Sequence, residues 1–496
     1  MGQKYILALD EGTTNTKAFL VDEAGALVKE ASRPVAIAYP QPAWVEQDAV
    51  EIWQTTLAVA AQVLEGAPGG QMVAVAITNQ RESVMAWERA SGKPLGPCIT
   101  WQCHRSAPYC NELKERGLTD KIFTLTGLTV DPMFSASKAH WLLEAIPAGK
   151  SRAYQGEICL GTLDAWLLWN LTGGAVHACD VTNASRTQLF NLQTLAWDDE
   201  LLDIFEIPGC ALPGIKPSSA VYGETVNLPG IPGGLPVAAM IGDSHAALFG
   251  HAGFQPGAIK ATFGTGSSLM MATPSRIFSR NGLSSSIAWG REQVTYCLEG
   301  NIYVTGAAIQ WLSDFLGLES PDQVEALAAR SSDNGGVYFV PALTGLGAPY
   351  WNDSARGTIN GLTRGSTSAH LARAAQEAIA YQVRDVFETM QMEAGAPLQV
   401  LLADGGPTRN RALMQFQADI LGVPVMRSLV SDISALGAAY LAGLTVGIWE
   451  SEIAIAGLAR PQERYEPLMA ASERERCYAG WKDAVRRVLG QGESVC

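Results

Sequence analysis

The 496-residue sequence predicts an α/β protein of two large, related domains that face one another across a ligand cleft. Three observations carry this expectation. Two strand–turn–strand segments, Tyr5 to Val21 (YILALDEGTTNTKAFLV) and Ala258 to Met271 (AIKATFGTGSSLMM), each open one half of the chain with a glycine- and hydroxyl-rich turn. Such a repeat is far less expected by chance than either hairpin alone. Short continuous apolar runs, such as Val73 to Ile77 and Pro236 to Ile241, read as strands buried on both faces. Each ends in polar residues, where α/β folds place ligand-binding groups.

Composition narrows the class. With 47% apolar and 17% charged residues the chain belongs with folded globular proteins. A formal net charge of -14 argues against nucleic acid as a partner. No window approaches the roughly 20 apolar residues that span a bilayer. MGQK runs straight into a strand, unlike a secretory signal, and Ile6 stands where a myristoylation signal has Ser or Thr. The nine cysteines form no CxxC pair, and their odd number suits reduced thiols in a cytoplasm better than a disulfide framework.

In chain order, the first turn sets Asp10, Gly12, Thr13 and Thr14 between buried strands. Gly12 admits backbone conformations that other residues resist, and the amides and hydroxyls around it can converge on an anion. An ordinary hairpin turn is the alternative. Pro34 to Asp48 reads as a loop leading into a helix from Ala49 to Glu65. The strand Val73 to Ile77 ends in TNQRES, where Arg81 and Glu82 are either ligand groups or a structural ion pair. Trp101, in ITWQCHR, is a substrate wall or a core residue. DPMFSASKAHWL, from Asp131 to Leu142, is a turn that opens a helix, and Asp180 to Thr187 is a polar loop.

The strand Pro236 to Ile241 ends in Gly242-Asp243-Ser244-His245. A carboxylate at that place is suited to general base catalysis; a helix N-cap at Asp243 and His245 as the base are the alternatives. The domain boundary is expected between Gly250 and Pro256, dividing 1–250 from 251–496. Beyond it, Gly306 to Leu316 is a helix with a glycine start, and Val337 to Trp351 is a strand followed by a glycine-rich loop. The strand from Val400 ends in Asp404-Gly405-Gly406, whose paired glycines suit close approach of an adenine or ribose. Ala435 to Leu444 is a small-residue helix able to pack closely on a sheet, and Ser472 to Leu489 is an amphipathic helix with a solvated face. Neither GxxxxGK[ST] nor GxGxxG occurs, so a P-loop or dinucleotide site is not expected.

Three turns in this order (DEGTT, FGTGS, ADGGPTRN), with an aspartate closing the strand between, resemble the sugar kinases of the actin-like ATPase superfamily. With YPQPAWVEQD, ITNQRES, TWQCHR, TNASRT, GLGAPYW, ARGTINGLTRG and LMQFQADILGVPV, nearly the whole chain resembles the glycerol kinases of the FGGY carbohydrate kinase family. The resemblance implies two actin-like (ribonuclease H-like) domains, ATP and Mg2+ as cofactors, and phosphorylation of a terminal hydroxyl on a small polyol or sugar. It puts Thr13, Thr14, Asn15 and Lys17 at the first phosphate turn and Asp10 at the metal, with Asp243 a second candidate there. It puts Thr265, Gly266, Gly306, Gln310, Gly406 and Asn410 at the nucleotide, Arg81, Glu82 and Trp101 at the acceptor, and Asp243 as the base.

Three acceptor positions depart from the family pattern: Met133 for tyrosine, Ser244 for glutamine and Ser268 for an aromatic residue. A lost hydrogen-bond partner costs roughly 1–3 kcal/mol when it strands a buried polar group. The departures imply an acceptor other or larger than glycerol, such as a tetritol, pentitol or short or branched ketose; glycerol itself is the alternative. The loop from Tyr222 to Pro236 lacks the basic residue with which some bacterial members bind fructose bisphosphate, so that control is not expected. A homo-oligomer, dimer or tetramer, is expected, with no nucleic acid or membrane partner. Two rivals from other classes are an actin-like ATPase and a non-catalytic sugar sensor. The first has no need of Arg81, Glu82 and Trp101, and the second none of Asp243.

Overall fold

The computed structural model describes residues 3–67, 69–255 and 257–490, so Pro256, the far end of the expected domain boundary, lies outside the described residues. Strands β1 (Lys4–Glu11) and β2 (Asn15–Asp22) bury almost every side chain and form the centre of the first sheet, whereas β3 (Leu27–Pro34) alternates and lies at its edge. Helix α1 (Ala49–Leu64) starts at Asp48, whose carboxylate accepts from the amides of Val50 and Glu51. Strand β4 (Gln71–Asn79) runs parallel to β1. An inserted region follows, with a small sheet of Glu46–Gln47, Cys98–Ile99, Val84–Glu88 and Ile158–Thr162 and the helix α2 (Ser135–Ala145). Strands β5 (Ser219–Glu224) and β6 (Pro236–Gly242) complete the order β5-β6-β4-β1-β2-β3.

After helix α3 (Asp243–Gly250) the same plan recurs. Strands β7 (Ala258–Phe263) and β8 (Ser267–Thr273) form an antiparallel hairpin, extended by β10 (Val294–Ile302) and an additional strand, β9 (Ser284–Gly290). Helices α4 (Gly306–Phe315) and α5 (Ser368–Ala394) follow. Strands β11 (Val400–Asp404) and β12 (Val425–Ser428) then continue the other flank in parallel. Beyond α6 (Ile433–Thr445), an antiparallel β13 (Gln462–Tyr465) ends the sheet, giving β9-β10-β8-β7-β11-β12-β13. Each half is thus an antiparallel trio joined to two parallel strands and a closing antiparallel one. The two related α/β units expected from the hairpin repeat are present.

The small-residue helix expected from Ala435 spans Ile433–Thr445 and belongs, by packing, to the first sheet, where its apolar face meets Ile6, Ala8, Ala76 and Ala239. It crosses α3 with no side-chain layer between the backbones. A Cβ on Gly437 would lie 1.9 Å from the Ala246 carbonyl oxygen, and one on Gly250 would lie 2.2 Å from that of Ile433. Helix α7 (Ala471–Val488) has the solvated face expected of it, but its inner face buries Tyr478 and Trp481. These donate to the buried Asp385 of α5 at 2.6 and 2.8 Å. No helix among the described residues is long and apolar enough to cross a membrane.

The helix crossing makes a direct prediction. Gly437→Ala forces the two backbones apart, because neither carbonyl nor main chain can rotate away. It is expected to cost about 3 kcal/mol or more, read as a loss of urea midpoint or Tm; a change within about 0.5 kcal/mol would refute the close contact.

Candidate active site

The end of β4 reverses sharply at Glu82, a non-glycine residue held at φ +62°, a conformation that costs about 1 kcal/mol and persists only where its surroundings enforce it. The enforcement is electrostatic. Arg81 reaches Glu299 on β10 with both terminal nitrogens, at 2.7 and 3.0 Å. Arg186 joins Glu82 at 2.5 Å and Glu299 at 2.7 Å. All four side chains are at most 8% exposed. Burial alone would raise the Glu299 carboxyl, but Arg186 and Arg81 hold it well below the usual carboxylate range. The two pairs made by Glu299 cross between the halves of the chain, while Arg186–Glu82 lies within the first.

Asp243 is the first residue of α3, and its carboxylate accepts from the Ser244 amide at 2.6 Å and faces Arg81 Nε at 3.3 Å. Gly242 precedes it because the Arg81 side chain lies across that backbone; a Cβ there would meet Arg81 Cγ at 2.6 Å. The Asp243 side chain keeps 40% exposure, unlike the other acids around it. Burial of the surrounding site raises its carboxyl above the usual value, while Arg81 and the Ser244 amide pull it back. His245, the other candidate base, is fully buried with Nε2 3.3 Å from Ser286 Oγ, and burial pushes it well below the usual imidazole value. It is neutral and does not reach the cleft.

The departures Ser244 and Ser268 meet. Lys260 Nζ donates to Ser244 Oγ at 3.0 Å, Ser244 Oγ donates to Ser268 Oγ at 2.9 Å, and Ser268 Oγ donates to Glu299 Oε1 at 2.9 Å. This hydroxyl chain also crosses between the halves. Trp101, half-buried, donates from its indole to Thr13 Oγ1 at 2.9 Å, while Gln47 Nε2 holds the Thr13 carbonyl at 2.9 Å. An acceptor-wall candidate and a phosphate-turn candidate are therefore directly bonded. The Met133 amide donates to Asp131 at 2.8 Å.

On the phosphate side, Gly12 N closes the first turn onto the Asn15 carbonyl at 3.0 Å, and Asn15 Nδ2 donates to Thr14 Oγ1 at 3.0 Å. Lys17 Nζ lies 2.7 Å from Asp432, the N-cap of α6, and 3.8 Å from Asp10. Burial raises the Asp10 carboxyl well above its usual value, and Asp432 and Asp243 add to the rise. In the second half, the Gly266 turn packs on the start of α4: Gly306 N donates to the Gly264 carbonyl at 3.0 Å, and Ala307 N to that of Thr265 at 3.1 Å. A Cβ on Gly306 would meet the Gly264 carbonyl at 2.5 Å and Pro407 at 3.4 Å, so Gly266, Gly306 and the Gly405-Gly406-Pro407 turn converge. Gly405 takes φ +97° against the Phe263 carbonyl, whereas nothing lies within 4 Å of a Cβ on Gly406, which leaves that backbone open to a flat ligand. Gln310 lies on the exposed side of α4, bonded to Asp314, and Asn410 caps the next helix through Leu413 N.

Sequence reasoning missed the partners that hold this site. Glu299 sits as an acid within the apolar run YCLEG, which is a usable signal; Arg186 lay inside TNASRT without being singled out. Lys260 and Asp432 carry no comparable local signal.

Two family models match the chain: the N-terminal domain of the FGGY family of carbohydrate kinases over residues 5–250, and the C-terminal domain of that family over 259–446. Glycerol kinase 2 of Thermotoga maritima is 49% identical over 98% of this chain and 99% of its own length. A glycerol kinase of Halorhodospira halophila is also 49% identical, over 99% and 97%. Among solved structures, Plasmodium falciparum glycerol kinase with ADP superposes at a TM-score of 0.93 and 32% identity, covering 98% of each chain. Xylulose kinase from Rhodospirillum rubrum reaches 0.86 at 27%, covering 98% of this chain and 99% of that one. The fold and site define a phosphotransferase with an alcohol as acceptor and ATP and Mg2+ as cofactors. The chain belongs to the FGGY family of carbohydrate kinases.

Replacing the buried acid at the centre of the site tests the ion-pair reading. Glu299→Gln leaves Arg81 and Arg186 facing a neutral amide and is expected to destabilise the protein by about 3 kcal/mol, measured by urea unfolding. An unchanged midpoint would show that the two arginines do not depend on it.

Proposed function

We propose that this kinase phosphorylates a terminal hydroxyl of glycerol, with Asp243 as the general base. One observation carries the assignment: of the acids gathered at the acceptor side, Asp243 alone is substantially exposed, while Glu82 and Glu299 are buried and paired with arginines. It can accept the hydroxyl proton; burial raises its carboxyl above the usual value, and Arg81 opposes that rise. Because only the carboxylate accepts a proton, activity falls on the acid side of its titration. Arg81, Arg186 and Lys260 face Glu82, Glu299 and Asp243, a balance that suits a neutral acceptor. Trp101 gives the acceptor an apolar wall and Met133 lies opposite.

In this reading residues 1–250 supply the acceptor site and the first phosphate turn (Thr13, Thr14, Asn15, Lys17), and 251–496 the nucleotide site (Thr265, Gly266, Gly306, Gln310, Gly406, Asn410). Asp10, with Asp243, fits Mg2+: both are oxygen donors, and Asp10 is crowded by Asp432, so a dication relieves their repulsion. Among the described residues no three acids or histidines form a self-sufficient metal site, which suits an ion that shares its shell with phosphates and water. Bound together, ATP supplies the phosphoryl group and Mg2+ neutralises charge on it, so that positioning does most of the catalytic work. A cytoplasmic setting accords with the unpaired thiols among the described residues.

Glycerol replaces the larger acceptor inferred from Met133, Ser244 and Ser268. The relatives named glycerol kinase, at 46–49% identity over almost the whole chain, favour it. So does the hydroxyl chain, because Ser244 and Ser268 bond to each other and to Lys260 and Glu299, leaving neither polar group stranded. The second reading, a tetritol or short ketose, rests on the small volume of those two serines. A coupled ADP-release screen across glycerol, tetritols, pentitols and ketoses decides between them. Glycerol is expected to give the highest kcat/KM; a tetritol or ketose better by about tenfold would reverse the assignment. Asp243→Asn is expected to lower kcat by about 10³-fold or more while nucleotide still binds, and near-normal turnover would remove Asp243 from the mechanism.

A further inference from the structure

Lys138, in the first turn of α2, is completely buried, and none of its hydrogen bonds is to a carboxylate. A buried ammonium near a helix N-terminus is unfavourable on two counts, desolvation and the helix dipole. What it does there is specific. Its Nζ donates to the Met133 carbonyl at 2.5 Å and to the Thr100 carbonyl at 3.3 Å. Thr100 immediately precedes Trp101, so a single ammonium spans the two backbone segments that carry Trp101 and Met133. Trp101 is tethered at its other atoms by Ser83 Oγ to its amide, 3.1 Å, and by Thr13 to its indole. The carbonyl clamp joins this segment to that of Met133 at the residues nearest the two side chains, and Ser106 and Ser137 join the loop to α2 further along, at 2.9 Å.

We propose that Lys138 is a positioning residue for the acceptor: its ammonium sets the separation of the Trp101 and Met133 walls, and loss of its proton weakens acceptor binding while the nucleotide side is untouched. The inference rests on the assignment of those walls to the acceptor. The groups that face Lys138 are Glu82 from the strand-end turn, Cys98 and Cys103 from the Trp101 segment, and Asp131 from the loop before α2. Burial pushes its ammonium down to about 8, against the pull of Glu82 and the other three. Glu82 is already committed to Arg186, and burial drives the Cys98 thiol up to about 12, so it stays uncharged across the relevant range. The sign follows: the clamp carries its charge below about pH 8 and loses it above. The neutral amine keeps N–H donors but not the charge that makes such bonds roughly twice as strong, so the effect is graded.

The test is steady-state KM for glycerol and for ATP, from about pH 6.5 to about 9.5, on the full chain and on Lys138→Met and Lys138→Gln. In wild type the glycerol KM is expected to rise about three- to tenfold through the alkaline range while the ATP KM moves less than about twofold. Lys138→Met should show the high glycerol KM already at neutral pH, with the alkaline rise gone; Lys138→Gln, which keeps neutral donors, should lie between. A flat wild-type glycerol KM, or a rise that persists in the Lys138 variants, overturns the proposal. Should Lys138→Met not fold, the wild-type and Lys138→Gln profiles decide it by the same criteria. Absence of any polyol-dependent ADP release from wild type would sink the glycerol assignment as well, whereas the outcomes above sink only the role of Lys138.

Discussion

The backbone-to-backbone crossing of α3 and α6 is the contact on which the rest of the molecule depends. Each helix follows a strand of one sheet, yet together they form one apolar layer that touches both sheets, from Ile6 and Ala76 on one side to Met270 and Trp289 on the other. Close approach is possible only because Gly437 and Gly250 present no side chain. The same two helices carry cleft acids at their starts, Asp243 on α3 and Asp432 on α6, and Asp10 feels both. A change in the crossing would therefore move the proposed base and the crowded acids around Lys17 together. Packing and chemistry are set by one contact.

Above that layer the halves are joined a second time, by charge. Glu299 comes from the second half, and Arg81 and Arg186 come from the first. Buried pairs of this kind repay their desolvation only when the geometry is good and every oxygen is used. Both Glu299 oxygens are used, by Arg81 on each and by the Ser268 hydroxyl on Oε1, while Arg186 adds a 2.7 Å ion contact to Oε2 without hydrogen-bond geometry. The strained turn at Glu82 is held by the same network. The result is a rigid buried network, with Asp243 at its exposed margin, 3.3 Å from Arg81 Nε.

The class of the protein was legible in the sequence because phosphate turns are local. Gly12, Gly266 and Gly405 are glycines for reasons of backbone approach, and such requirements leave a mark a few residues long. The strands and the doubled plan were legible for a related reason: buried parallel strands read as continuous apolar runs, and the hairpin repeat announced a second copy of the first unit. The network was not legible in the same way. Glu299 gains its role from Arg81 and Arg186, far away in the chain, and Lys260 and Asp432 likewise act on residues from the other half. Asn410 and Gln310, which the resemblance puts at the nucleotide, also carry bonds that the sequence did not announce: Asn410 caps a helix and Gln310 bonds to Asp314.

The acceptor expectation shows what reading side chains one at a time leaves out. Ser244 and Ser268, taken singly, are small residues where larger ones are usual, and the subtraction implies space. Taken as a pair they are a 2.9 Å hydrogen bond with a lysine at one end and a carboxylate at the other. The hydroxyls meet across the interface between the halves, Ser244 from the start of α3 and Ser268 from β8. A pocket of this kind is shaped by the bond between its walls as much as by the size of either wall. The same holds at Thr13 and Trp101, where the proposed phosphate turn and the proposed acceptor wall are joined by one hydrogen bond. If the acceptor lies where proposed, discrimination among polyols would be a property of bonded pairs, Ser244 with Ser268 and Trp101 with Thr13, and substitutions at one member of a pair are expected to act through the other.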